Sequence, residues 1–208
     1  MKYFTKICGV TELEDLKEIC ELKVSAIGFN RDLNSPRLVS LEFLNAAANY
    51  LNEEIFPVIV FVNESRNGVL EAAKPFKRPI LQFHGDEDEK FCSSFDLPYI
   101  KAISMNESDY LNKMNSFETS FAILLDSGNK FIRGGTGETF DWKLIPKEMN
   151  SKIIIAGGLN SNNISSLLEV YQPFGIDVAS GVESKPGKKD ILEINKLLEN
   201  INEKEKTN

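Results

Sequence analysis

Cysteine is scarce: three in 208 residues, at Cys8, Cys20 and Cys92. An odd count without C-x-x-C spacing excludes a disulfide framework and a cysteine zinc site, and it suits a reducing compartment, so a cytoplasmic location is expected. No run of 18 apolar residues occurs, so no membrane-spanning helix is predicted. The N-terminus lacks a charged region followed by an apolar signal core. Basic residues are outnumbered, 24 Lys and Arg against 31 Asp and Glu, for a net charge of −7 and a pI near 5.0. That balance argues against general nucleic-acid binding, and an anionic small molecule would need a locally positive pocket. There is no Walker motif and no G-x-G-x-x-G after the first apolar run, so nothing demands a nucleotide or a metal.

The composition, 42% hydrophobic and 26% charged, is that of a chain able to bury one full core. Short runs rich in Val, Ile and Phe alternate with amphipathic segments. The runs predict strands at Lys2–Cys8, Val24–Phe29, Phe56–Val62, Ile80–His84, Tyr99–Ile103, Phe121–Asp126, Lys152–Ala156 and Ile176–Ala179. Helical stripes lie between them, as in Leu13, Leu16, Ile19 and Cys20, and in Ile191, Ile194, Leu197, Leu198 and Ile201. Thr11, Ser40 and Asn160-Ser161 stand where caps are expected. The segment after the sixth strand holds at most a short helix at Trp142–Pro146. Eight strand–helix units of about 26 residues each predict a closed (β/α)8 barrel over residues 1–202, with a charged, frayed tail at 203–208. A doubly wound open sheet is the competing arrangement.

In such barrels the C-terminal strand ends carry the chemistry. Those ends here are Cys8-Gly9, Asn30-Arg31, Asn63, His84-Gly85, Ser104, Asp126-Ser127, Gly157-Gly158 and Ser180-Gly181. Cys8 is either a small buried hydrophobe or a thiol whose pKa falls beside the N-terminus of the first helix. Asp126 ends a run of five apolar residues and is either a helix cap or a carboxyl whose pKa an apolar setting raises. The glycines after strands 7 and 8 let backbone N–H groups approach an anion, the usual phosphate position in this fold. Gly134–Gly137 is either a further wall of that cradle or a flexible loop tip. Arg37, in S-P-R, is a solvated arginine or a two-point carboxylate fork. His84, the sole histidine, is structural or titrates near neutrality. Lys6 and Lys101 carry no other sign of chemistry. Cys20 and Cys92 fall within helical patterns and read as packing residues.

Together the motifs resemble the phosphoribosylanthranilate isomerase family of tryptophan biosynthesis. They run in order from K-I-C-G at 6–9 through S-P-R at 35–37, Q-F-H-G at 82–85, L-L-D at 124–126, G-G-T-G-E-T-F-D-W at 134–142 and A-G-G-L at 156–159 to D-V-A-S-G-V-E at 177–183. The resemblance implies an Amadori rearrangement with Cys8 as general base, Asp126 as general acid, and no cofactor or metal. It also implies that Arg37 binds the anthranilate carboxylate, that Gln82, His84 and Asp177 contact substrate, and that Gly135, Gly157, Gly158, Ser180 and Gly181 hold phosphate. The implied partner is a phosphorylated small molecule, with no nucleic acid or membrane, acted on by a monomer or homodimer. Asn30 and Arg31 depart from the family's usual apolar residues after G-F, and Ala179 replaces a common serine. The related isomerase of histidine biosynthesis would have an aspartate where Cys8 stands. Indole-glycerol-phosphate synthase would need a lysine acid at a strand end. A barrel that has lost catalysis would keep the phosphate site alone.

Overall fold

The computed structural model describes residues 3–128, 139–146 and 152–207. Its centre is a closed barrel of β1 (Phe4–Cys8), β2 (Ala26–Asn30), β3 (Phe56–Phe61), β4 (Ile80–Phe83), β5 (Tyr99–Ser104), β6 (Ala122–Asp126), β7 (Ile153–Ile155) and β8 (Gly175–Val178). All neighbours pair in parallel, and β8 returns to β1 with Lys6 opposite Asp177. That closing ladder rules out the open sheet. Each strand lies within two residues of its predicted bounds.

Around the barrel run α1 (Leu13–Cys20), α2 (Leu41–Ala47), α3 (Arg66–Ala73), α4 (Glu89–Ser93), α5 (Tyr110–Asn115), α6 (Ile164–Val170) and α7 (Ile191–Thr207). Among the described residues after β6 there is a 3-10 turn at Trp142–Leu144, in line with the weak pattern there. A small antiparallel hairpin of β9 (Glu183–Lys185) and β10 (Lys188–Lys189), not anticipated, lies between β8 and α7. Among the described residues no helix is long and apolar enough to cross a membrane.

Ser40 caps α2 as expected, its hydroxyl accepting from the Phe43 N–H at 3.1 Å. The other two expected caps serve different ends. Thr11 donates to the Gly187 carbonyl at 2.8 Å and ties the loop after β1 to the β9–β10 turn, and α1 starts after Glu12. α6 starts after Asn163, whose amide accepts from the Asn160 N–H and donates to the Gly158 carbonyl, each at 2.9 Å. That segment braces the glycine turn after β7. The tail also differs from expectation: residues 203–207 continue α7. Ile194, Leu197 and Ile201 bury one face of that helix, Lys204 pairs with Glu169, and Glu205 accepts from the Tyr3 N–H.

Period-two alternation sorts each strand into two faces. Ala26, Val58, Ile80, Ile100, Ala102, Ala122, Leu124, Ile154 and Ala156 fill the barrel interior, separately from the larger core between strands and helices. Its floor is aromatic: Phe4 lies 5.6 Å from Phe174 and 5.8 Å from Phe121, ring centre to ring centre. The same parity carries up each strand. It turns Lys6 and Cys8, Gln82 and His84, Asp126, and Asp177 inward at the opposite end, above an apolar plug.

Candidate active site

The inward residues at the strand ends enclose a cavity of about 510 Å³ lined by Cys8, Gln82, His84, Asp126, Asp177, Gly157, Gly158 and Ser180 among others. Arg37 and Asn30 line it from β2 and the loop that follows. Nearly all the expected site residues are therefore brought together. Gly181 does not line the cavity; its Cα packs against the Leu159 backbone. Gly135, with the rest of Gly134–Gly137, lies outside the described residues.

Cys8 ends β1 and is buried. Its thiol faces the barrel interior, not the start of α1, and its pKa is shifted opposite to expectation. Burial pushes the thiol up, and the charge of Lys6 opposes that shift without cancelling it. Asp177 adds to the upward push, and Lys189 works against it. Lys6 has no exposed surface and places its Nζ 2.8 Å from Asp177 Oδ1.

Asp126 is on β6, across the barrel. Its shift is also the reverse of the expected one. Burial pushes the carboxyl up, but the His84 imidazole and the N–H groups of Gly128 and Ser127 outweigh it, and the net direction is down. His84 Nε2 lies 3.4 Å from Asp126 Oδ2, and the Gly128 N–H donates to Oδ1 at 3.2 Å. An apolar strand does not keep this carboxyl protonated, because its tip is a ring of donors.

Arg37 reaches the cavity, but one edge of its guanidinium is taken. Nε donates to Glu183 Oε1 at 2.9 Å and Nη2 to Oε2 at 2.7 Å. Lys189 Nζ sits 2.6 Å from the same Oε1 and donates to the carbonyls of Cys8 and Ala179. The expected open fork is thus a clamped one. Glu183 and Lys189 are site residues that sequence reasoning missed as such: Glu183 closes the D-V-A-S-G-V-E motif, whereas a Lys-Lys pair ordinarily reads as surface. Arg31 donates to the Val39 carbonyl and does not line the cavity, so this departure leaves the pocket untouched. Asn30 Oδ1 accepts from the Asp32 N–H at 2.7 Å and shapes the loop that brings in Arg37.

Gln82 lines the cavity, and its Oε1 is buried with no hydrogen-bond partner among the described residues. Gly157 and Gly158 have φ of +84° and +64°, the left-handed region that glycine enters without strain. They turn the chain sharply after β7, with the Gly157 Cα against Asp126 and Ser127. Lys101 points outward and pairs with Glu87 at 2.9 Å and the Gly85 carbonyl at 2.7 Å. Glu87 accepts from the N–H groups of Asn63 and Gly85, which braces the loops after β3 and β4. Cys20 and Cys92 are outside the cavity, and burial lifts their thiols to about 11 and about 12.

Fold and site together define a (β/α)8 barrel whose cavity sets a thiol opposite a histidine-paired carboxylate, an acid–base arrangement. The family model described as N-(5'phosphoribosyl)anthranilate (PRA) isomerase matches residues 5–200. The N-(5'-phosphoribosyl)anthranilate isomerase of Nitrosomonas eutropha is 40% identical over 97% of both chains. The crystal structure of the Thermotoga maritima enzyme superposes with a TM-score of 0.86 at 34% identity, covering 97% of this chain and 99% of that one. A structure of phosphoribosyl anthranilate isomerase with reduced 1-(o-carboxyphenylamino)-1-deoxyribulose 5-phosphate gives 0.83, at the same identity and coverage. The chain belongs to the phosphoribosylanthranilate isomerase family, the isomerases of tryptophan biosynthesis.

Proposed function

We propose that the chain converts N-(5-phosphoribosyl)anthranilate to 1-(2-carboxyphenylamino)-1-deoxyribulose 5-phosphate, with Asp126 as general acid and Cys8 as general base. The observation that carries this reading is that the β1 thiol and the β6 carboxylate open on one cavity. Asp126 protonates the ribose ring oxygen, and the ring opens to an iminium. Cys8, as thiolate, takes the proton from C2 to give the enolamine. Protonation at C1 and loss of the C2 hydroxyl proton leave the ketone, an isomer of the starting material. The left-handed turn at Gly157-Gly158 and the Ser180 backbone hold the phosphate. Arg37 meets the anthranilate carboxylate with the part of its guanidinium that Glu183 leaves, and Gln82 lies on the cavity wall beside the sugar.

Substrate brings phosphate and carboxylate charge into the pocket and displaces water. Both effects push Asp126 back up, the direction an acid requires. The same effects push the thiol up, which a base must resist. The named residues all lie on one chain, so the site works in a monomer or a homodimer. The three free cysteines suit a reducing cytoplasm.

The test is the decay of anthranilate fluorescence as substrate formed in situ is consumed. Wild type decays rapidly, while Asp126→Asn and Cys8→Ser fall on the order of 100-fold or more yet still bind product. Wild-type decay in either variant removes that residue from its role, and no decay with the folded wild-type protein removes the activity.

A further inference from the structure

We propose that Lys6 is the positioning residue that favours the thiolate form of Cys8 against its burial, and that Asp177 sets how strongly it does so. The proposal rests on the reading of Cys8 as the base, and it begins from the register of β1. Residues 6 and 8 share the inward face, Lys6 paired with Ala26 and Cys8 with Gly28. A Cβ on Gly28 would stand 2.7 Å from Cys8 Sγ and 3.0 Å from Lys6 Cε. The two side chains therefore lean over the same glycine, and the absent Cβ leaves room for the ammonium to lie beside the sulfur. Lys6 Nζ donates to Asp177 Oδ1 at 2.8 Å, and its charge acts on the neighbouring Cys8 thiol. It has no exposed surface, so no water screens it.

Other charged groups meet Cys8 from each neighbouring element. Asp177 comes from β8, Lys189 from the hairpin and Arg37 from the loop after β2, the last two paired with Glu183. Arg37 and Lys189 are both spent on Glu183, and Lys189 also holds two backbone carbonyls. Lys6 alone among these cations stands on the same strand and face as the sulfur, over the same glycine. With all five groups ionised, three cations face two carboxylates, and the cluster is neutral only when Cys8 is a thiolate. The thiol proton leaves to solvent before substrate binds, and the thiolate then receives the proton from C2.

The measurement is the pH midpoint of thiolate ultraviolet absorbance in the full chain, with the Cys8→Ser chain subtracted to remove Cys20 and Cys92. Lys6→Met is expected to raise the Cys8 midpoint by about one pH unit or more, and Lys6→Arg to restore most of the shift. Asp177→Asn is expected to lower it, since a neighbouring anion is lost. An unchanged midpoint in folded Lys6→Met overturns the proposal. If that variant does not fold, an unchanged or raised midpoint in Asp177→Asn overturns it instead. The acid limb of the kcat/KM profile should move with the midpoint. A shifted midpoint with an unmoved profile supports the Lys6–thiol coupling and overturns Cys8 as the base.

Discussion

Replacing Glu183 with Gln tests whether the Arg37 clamp is part of the site. The change keeps shape and one acceptor oxygen but removes the charge that the partly buried Arg37 and the buried Lys189 share. Glu183 meets Arg37 through Nε at 2.9 Å and Nη2 at 2.7 Å, and Lys189 at 2.6 Å, with its own side chain 3% exposed. A hydrogen bond to a charged group contributes about 1.5–3 kcal/mol, and removing one partner of a buried pair costs about 3–5. The retained amide oxygen offsets part of this, so about 2–3 kcal/mol is expected. In a chain of this size that lowers Tm by about 4–12 °C, read by circular dichroism. Freed from its clamp, Arg37 should also bind the anthranilate carboxylate less well, raising KM roughly tenfold, a loss of about 1.4 kcal/mol.

The pH dependence carries a sign. Burial pushes Glu183 up, but Arg37 and Lys189 hold its carboxyl below the ordinary 4.5. A depressed folded value stabilises fully above the ordinary one and is lost as pH falls through the depressed value. The Tm gap between wild type and Glu183→Gln should therefore be widest near neutrality and close in acid below pH 4.5. An unchanged Tm with an unchanged KM refutes the reasoning, as does a gap that widens in acid.

Arg37→Lys keeps the charge but loses the fork, so KM should rise roughly tenfold with kcat little changed; an unchanged KM takes Arg37 out of the carboxylate contact. Gly157→Ala would force a Cβ to within 2.8 Å of Asp126 Oδ1 at a φ of +84°. The strained backbone costs about 1–2 kcal/mol, and the shifted carboxylate should lower kcat about tenfold or more; wild-type Tm and kcat would refute the close packing.

Strand count, strand order and the polar strand ends are legible because buried parallel strands are continuous apolar runs that stop abruptly at the active face. Cys8, His84 and Asp126 are legible that way, each at the end of a run, whereas Gln82 and Asp177 are singled out only by the resemblance of their motifs to the family. Helix caps were less legible. Thr11 and Asn160 have the right chemistry for caps, yet tertiary partners at Gly187 and Asn163 claim them. The tail reads as solvated charge because its anchors, Glu169 and the Tyr3 N–H, lie 35 and 202 residues away in the chain.

By itself, then, the sequence determines the barrel, the face that carries chemistry and the residue types on it, since period-two parity and strand-end position are local properties. Only the tertiary structure decides how those groups are charged. Arg37 meets Glu183 across 146 residues, Lys6 meets Asp177 across 171, and His84 reaches Asp126 from two strands away. Such contacts turned Asp126 down where an apolar strand alone would have raised it, and burial turned Cys8 up where a nearby helix start would have lowered it. Burial and Coulomb interaction depend on distance in space, and folding alone sets those distances.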